Sequence, residues 1–345
     1  MILFVLPDFK DMGDFHSNLW GTAKLLVTHR SPYDIKQLMP TRGALWFPQI
    51  ISAGFFLGYL EQSVAERIWI CVNFLSYTYV LFSFFDEKPN PIKLGFVLLG
   101  TLLFPPLSTY VLYGQCALVF LAALLKSRDT DSFFSPFFLL IGLSKPQVGF
   151  IFAIWLFSQL WKKGRKYLLS YMIRTFLWGC IIMTPIFSFY PRWMEDFFGN
   201  IQNNNRWDQP ALFSILTKNF DQVGLVAWLL VFFLAMIFTI YYLEKQNPDF
   251  RFAFIFAITA MVAPYIWSWD FVILFPIMMA SILKADTIKS MLSIVVVLGI
   301  DAVFWIIRLQ GPINDYHNWP IPILIFGLLF VLFLVKLPKA NRQTI

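Results

Sequence analysis

Residues 222–243 read QVGLVAWLLVFFLAMIFTIYYL, a run that no Asp, Glu, Lys or Arg interrupts. A helix rises 1.5 Å per residue, so about 20 apolar residues cross a hydrocarbon core ~30 Å thick. This stretch therefore predicts a transmembrane helix. Working outward from it, further apolar runs of near-spanning length lie at approximately 66–85, 92–108, 110–125, 133–144, 146–161, 167–189, 251–267, 270–284, 288–309 and 319–336. The fold class expected is all-α: a single integral-membrane domain over 1–345, built as a polytopic bundle of about eleven spans. Composition points the same way, with 58% apolar, 19% aromatic and only 14% charged residues, against ~25% charged in soluble domains. A soluble monomer has no room to hide 40 Phe, 13 Trp and 13 Tyr without exposing apolar patches beyond a few hundred Å².

The net charge of +7 does not indicate nucleic acid, because the cations sit in short clusters between apolar runs rather than along one face. Cys71, Cys116 and Cys180 lie in or beside apolar runs with no C-x-x-C spacing, so neither a disulfide framework nor a zinc site is expected. The Lys and Arg clusters orient the chain. Lys88/Lys93, Lys126/Arg128, Lys162 to Lys166, Lys245/Arg251, Lys284/Lys289 and Lys336/Lys339/Arg342 occupy every second connection, which the positive-inside rule makes cytoplasmic.

The alternate connections, poor in Lys and Arg, fall on the other side, together with two longer polar stretches, 8–44 and 190–221. Residues 45–60 carry Pro48, Gln49 and two glycines and read as a re-entrant or interfacial helix. The first outer loop thus extends over 8–65, with amphipathic and re-entrant helices, and 190–221 forms a second. Segments 133–144 and 146–161 meet at Lys145-Pro146 on the outer face. On this count the chain starts outside and ends inside, or has twelve spans if one upstream helix is missing; loss of that helix would also fit a fragment or an inactive relative. A multi-pass cell-membrane location is expected.

Within the first outer loop, Asp14 opens an amphipathic helical pattern that buries Phe15, Leu19, Thr22, Ala23 and Leu26 on one stripe and stops at Pro32. An acid there is a common N-cap. It is also a group able to take a proton from a hydroxyl nucleophile at the membrane surface.

The segment Asp14–Leu26 followed by Pro32-Tyr33-Asp34 resembles the opening of glycosyltransferase family 87, the polyprenol-phosphate-sugar-dependent membrane glycosyltransferases of GT-C fold, which include α-mannosyltransferases. Later blocks resemble that family in the same order: Trp46-Phe47-Pro48, Tyr113-Gly114-Gln115, Gly142-Leu143-Ser144-Lys145-Pro146-Gln147, Asn203 to Gln209 with Leu212, and Ala263 to Asp270. The resemblance covers most of 14–276. It implies a polyprenyl-phosphate-linked sugar donor, plausibly of mannose, a lipid or glycan acceptor hydroxyl on the non-cytoplasmic side, inversion at the sugar carbon, and Asp14 as the base. Two departures stand out. The family has a helix before this loop, and its Asn-Gln-Ser reads Asp208-Gln209-Pro210 here.

The residues themselves add a physical reading. A phosphate leaving group needs preorganised cations, and Lys145, flanked by long apolar runs, is the first choice; an end-of-helix lysine reaching for headgroups is the alternative. Arg206 either grips the same phosphate or pairs with Asp208. Gln115, Trp207, Asp270 and His317 complete the substrate-binding candidates, with His16 one turn from Asp14. Asp270 is equally placed to cap a helix. Trp46, Trp193, Trp207, Trp267, Trp269 and Trp319 fit an interfacial belt, with Trp207 and Trp269 also placed to stack on sugar rings. Arg192 and Arg308 read as headgroup contacts. Asp301 lies midway along 288–309, where a charge is costly and must be protonated, paired or near water. It motivates a rival reading, a transporter or flippase of a lipid-linked precursor. No metal or cofactor is implied.

Overall fold

The computed structural model describes residues 12–39, 44–85, 90–202, 209–309 and 315–334. Their regular structure is helical, with no β-strand among them. Helix α1 runs without a break from Gly13–Phe15 through a π-helical turn, His16–Trp20, into Gly21–Val27. It is followed by α2 (Pro48–Ala53), a 3₁₀ turn (Phe55–Tyr59) and α3 (Gln62–Phe82). Then come α4 (Pro91–Leu103), α5 (Pro105–Tyr113), α6 (Ala117–Ser127), α7 (Ser135–Gly142), α8 (Pro146–Lys163) and α9 (Arg165–Phe189). After α10 (Trp193–Gln202) the chain forms α11 (Leu212–Ile237), α12 (Pro248–Val262), a 3₁₀ segment (Ser268–Leu274), α13 (Phe275–Leu283), α14 (Thr287–Leu309) and α15 (Pro320–Leu334).

Among the described residues three helical stretches are long and apolar enough to cross a membrane: Arg165–Phe189, Leu212–Lys245 and Thr287–Leu309. A fourth span arises if α4 and α5, bent by 59° at their junction, count as one. Eleven separate spans are thus not what length and composition deliver, because prolines cut several expected ones into shorter helices. The run 110–125 divides at Gly114, whose φ of 65° and ψ of 41° end α5 in the left-handed region. Pro105 and Pro106 lack the N–H that would have continued α4. The start expected at 222 is matched by a backbone break at Asp221 (φ 47°, ψ −123°). Beyond it, Gly224 approaches α11's own first turns so closely that a Cβ would lie 1.9 Å from the Leu216 carbonyl oxygen.

Residues 45–60 do not span: α2 is six residues long and passes into the 3₁₀ turn. The N-termini of α4 and α12 are closed by Asn90, whose side chain accepts from the Ile92 and Lys93 amides, and by Asn247, which accepts from Asp249, each followed by a proline. Such caps contribute about 1 kcal/mol apiece.

Burial divides the helices. In α12 every residue from Phe252 to Ala260 is buried, and α13 is buried from Phe275 to Ile282; a helix apolar all round belongs inside. By contrast α9 and α11 expose Phe176 and Val226 at 71% and 65%, the kind of surface that lipid covers. The stripe expected on α1 is buried in full, but so are His16, Ser17 and Asn18 on its other face. α1 is therefore packed inside protein rather than lying half-solvated at an interface.

Candidate functional site

The predicted site residues come from four separate places in the chain. Asp14 sits in the first turn of α1, where Met12, not Asp14, holds the N-cap position without a side-chain hydrogen bond. The simple capping role is thereby corrected. The Asp14 carboxylate accepts instead from the Gln115 side-chain amide. This pairing depends on Gly114: a Cβ there would stand 2.7 Å from Phe15 Cβ and 2.9 Å from Met12 Cε, so only glycine lets the α5–α6 turn lie against α1. The Gly114 carbonyl accepts from Trp69 Nε1 at 2.8 Å, and Trp69 stacks on Phe15. Asp34 is exposed, which separates it from Asp14; Asp8 and Asp11 lie outside the described residues.

Lys145 occupies the joint between α7 and α8, 8% exposed, and donates to Asp270 Oδ1 at 2.5 Å. It is turned inward, not reaching for the headgroups. Burial disfavours its ammonium, yet its pKa is raised on balance, the Asp270 carboxylate beside it being the leading influence against burial. Asp270 is fully buried, and its second oxygen accepts from the Trp267 amide at 3.4 Å. It stands third in the 3₁₀ segment, hung between the two most buried helices.

Two contacts link these groups: the Gln115 turn holds Asp14, and its Tyr113 touches the neighbour of Asp270. The charges of Lys145, Asp270 and Asp14 all act on the Cys116 thiol, next in sequence to Gln115. The same three act on the hydroxyl of Tyr265, a residue that is 36% exposed. Two aromatic residues beside the polar ones also meet: Tyr113, two before Gln115, packs edge-on against Trp269, next to Asp270, with centroids 5.3 Å apart. Trp269 in turn stacks on Trp267 at 4.9 Å and 11°, and Trp267 Nε1 donates to the Tyr265 hydroxyl at 2.8 Å. The result is an acid, an ion pair and an aromatic panel in one place.

Other expectations fare differently. His16 bonds Glu66 at 2.7 Å and Gln62 at 3.1 Å, which ties α1 to α3. His317 is exposed on a 3₁₀ turn, Asp315–Asn318. Arg308 is corrected from a headgroup contact to an internal clamp, donating to the Pro105 carbonyl at 2.8 Å and to Ser108 and Thr109. Arg206 and Trp207 lie outside the described residues.

The residue that sequence reasoning missed is Asp315. Its carboxylate accepts from the Ser268 amide at 3.1 Å and from the Ser268 hydroxyl, fixing the segment that carries Trp267, Trp269 and Asp270. Burial pushes its pKa up, against the two hydrogen bonds from Ser268. An acid two residues before His317 in a polar turn was the available signal. Among the described residues no three His, Cys, Asp or Glu side chains gather to hold a metal ion.

No protein-family model matches the chain, and neither the curated proteins nor the solved structures give a match to it.

Proposed function

We propose that the protein is a multi-pass cell-membrane glycosyltransferase of GT-C type. It moves a sugar, mannose being the first candidate, from a polyprenyl-phosphate donor to an acceptor hydroxyl on the non-cytoplasmic side. The observation that supports this reading is that one turn, Tyr113 to Gln115, bonds the Asp14 carboxylate through Gln115 and touches Trp269, the neighbour of the Asp270 that pairs with Lys145.

In this reading Asp14 accepts the proton of the acceptor hydroxyl as its oxygen attacks the anomeric carbon. The bond from that carbon to the donor phosphate breaks, and attack from the opposite face inverts the centre. The leaving polyprenyl phosphate takes the electron pair and is met by the Lys145 ammonium. That group has three N–H donors, one of which is on Asp270. The hydrogen bond from Gln115 fixes the orientation of the base before substrate arrives, and such preorganisation is where electrostatic catalysis gains most. Tyr113 and Trp269 offer a rigid apolar wall beside the acid, suited to the face of a sugar ring. Arg206, Trp207 and His317 belong to the same proposal as outer-side contacts for phosphate and sugar. A bundle of about eleven spans, with its polar joints gathered on the outer face, belongs to the same reading.

The test is Asp14→Asn, assayed in membranes with radiolabelled polyprenyl-phosphate-linked sugars. Transfer is expected to fall by at least ~10²-fold, the lower range for removing a general base, with insertion unchanged. Retained turnover removes the assignment.

A further inference from the structure

Asp301 plays no part in the cluster just described. It lies in the middle of α14, is 2% exposed, and neither carboxylate oxygen has a hydrogen-bond partner among the described residues. An unanswered buried carboxylate in a membrane-crossing helix is costly, and such a residue points by default to function.

What it faces follows from its neighbours along α14. Val297, one turn earlier, packs on Gly100 so closely that a Cβ there would meet Val297 Cγ1 at 2.8 Å. Trp305, one turn later, donates from Nε1 to the Leu103 carbonyl at 2.5 Å. Position 301 therefore stands level with the end of α4. There the sequence removes two donors: Pro105 and Pro106 have no N–H to give the carbonyls of Thr101 and Leu102, four residues before them. α4 also ends here with the negative pole of its dipole, and the chain bends by 59°.

The ensemble is rich in acceptors: two carboxylate oxygens and two carbonyls deprived of their helical partners. The charged side chains of the packed elements make no bond to Asp301. Lys93 of α4 donates to the Ala285 carbonyl at 2.7 Å, and Arg308 of α14 stands on the α5 side of the break, two turns beyond Asp301, its guanidinium engaged by the Pro105 carbonyl, Ser108 and Thr109 and making no bond to Asp301. Lys289 lies three turns away at the other end of α14, and α5, α13 and α15 carry no charged residue.

We propose that Asp301 and the carbonyls freed at the α4–α5 break bind a small monovalent cation, with sodium the best fit. Hard oxygen ligands suit such an ion. One carboxylate with neutral carbonyls balances a single positive charge, whereas a divalent ion would leave an excess charge buried. Broken membrane helices use the same elements, unwound carbonyls and helix C-termini, to hold cations. The site is independent of the glycosyl-transfer reading.

The test uses the full chain purified in detergent, with unfolding followed in sodium chloride and in choline chloride at equal ionic strength. Sodium is expected to raise the midpoint by a few degrees, saturably, as binding to the native state requires. Asp301→Asn is expected to lose that rise and exposed Asp34→Asn to keep it. Equal midpoints in the two salts overturn the site, including the case where unfolding answers to pH alone and a proton satisfies the carboxyl. A full sodium response in Asp301→Asn also overturns it. Should Asp301→Asn fail to fold, saturable binding of radioactive sodium is compared between the wild type and Pro105→Ala/Pro106→Ala, which restores two N–H donors. At least ~10-fold weaker binding by that variant is expected, and unchanged or absent binding overturns the proposal.

Discussion

Gly114→Ala is the sharpest probe of how the site is assembled, because one added methyl acts on backbone and packing together. Gly114 sits at φ 65° and ψ 41°, where a side chain costs roughly 1–2 kcal/mol. The new Cβ would lie 2.7 Å from Phe15 Cβ and 3.2 Å from Met12 Cβ, up to about 1 Å inside ordinary carbon contact. Neither neighbour is the far end of a flexible chain, so α1 must move away, and overpacking of this kind costs about 1–3 kcal/mol. The total is ~2–5 kcal/mol of stability. A shift of ~1 Å at the Asp14 carboxylate also breaks its hydrogen bond with Gln115, and misplacement on that scale costs about 10²-fold in rate. The assay is thermal unfolding in detergent alongside sugar transfer, with Gly95→Ala as control. Gly95 lies inside α4 with nothing within 4 Å of its Cβ position, so alanine there is expected to stabilise by roughly 0.5–1 kcal/mol. If Gly114→Ala unfolds and turns over like Gly95→Ala, the turn does not position Asp14.

Lys145→Ala leaves Asp270 buried without its cation and is expected to cost about 3–5 kcal/mol, with donor use impaired more than acceptor use. Adding Asp270→Asn should recover a large part of the stability, and a double-mutant cycle showing no coupling would count against the ion pair. For Asp315, burial raises the folded-state pKa above the ordinary carboxylate value. The folded state then binds its proton more tightly than the unfolded state, so stability declines as pH rises from about 4 through the raised value. Melting temperature against pH should show that decline, and Asp315→Asn should flatten it.

The all-helical character and the apolar stripe of α1 were legible in residue type alone, because burial and helical period act over a few turns. The joint at Lys145-Pro146 was legible for the same reason: proline states where a helix starts. Gly114 was not, since a glycine beside a Gln signals neither φ nor close approach until α1 is laid against it. The partners of the charges were also hidden. Asp14, Lys145, Gln115 and Asp270 were each legible as polar residues at candidate positions, but that Gln115 bonds Asp14 and Asp270 pairs with Lys145 is supplied only by the fold. Asp315 escaped because its role is exercised on Ser268, 47 residues away, through contacts that no local pattern encodes.

The Lys145–Asp270 pair also has a history. Its partners are 125 residues apart, so at a synthesis rate of ~5–20 residues per second the lysine emerges roughly 6–25 s before its counter-ion. Throughout that interval the nascent chain holds a cation destined for a dry interior with nothing yet to neutralise it. α7 and α8 must therefore wait, with their joint still wet at the membrane border, until the last third of the protein arrives to close over it.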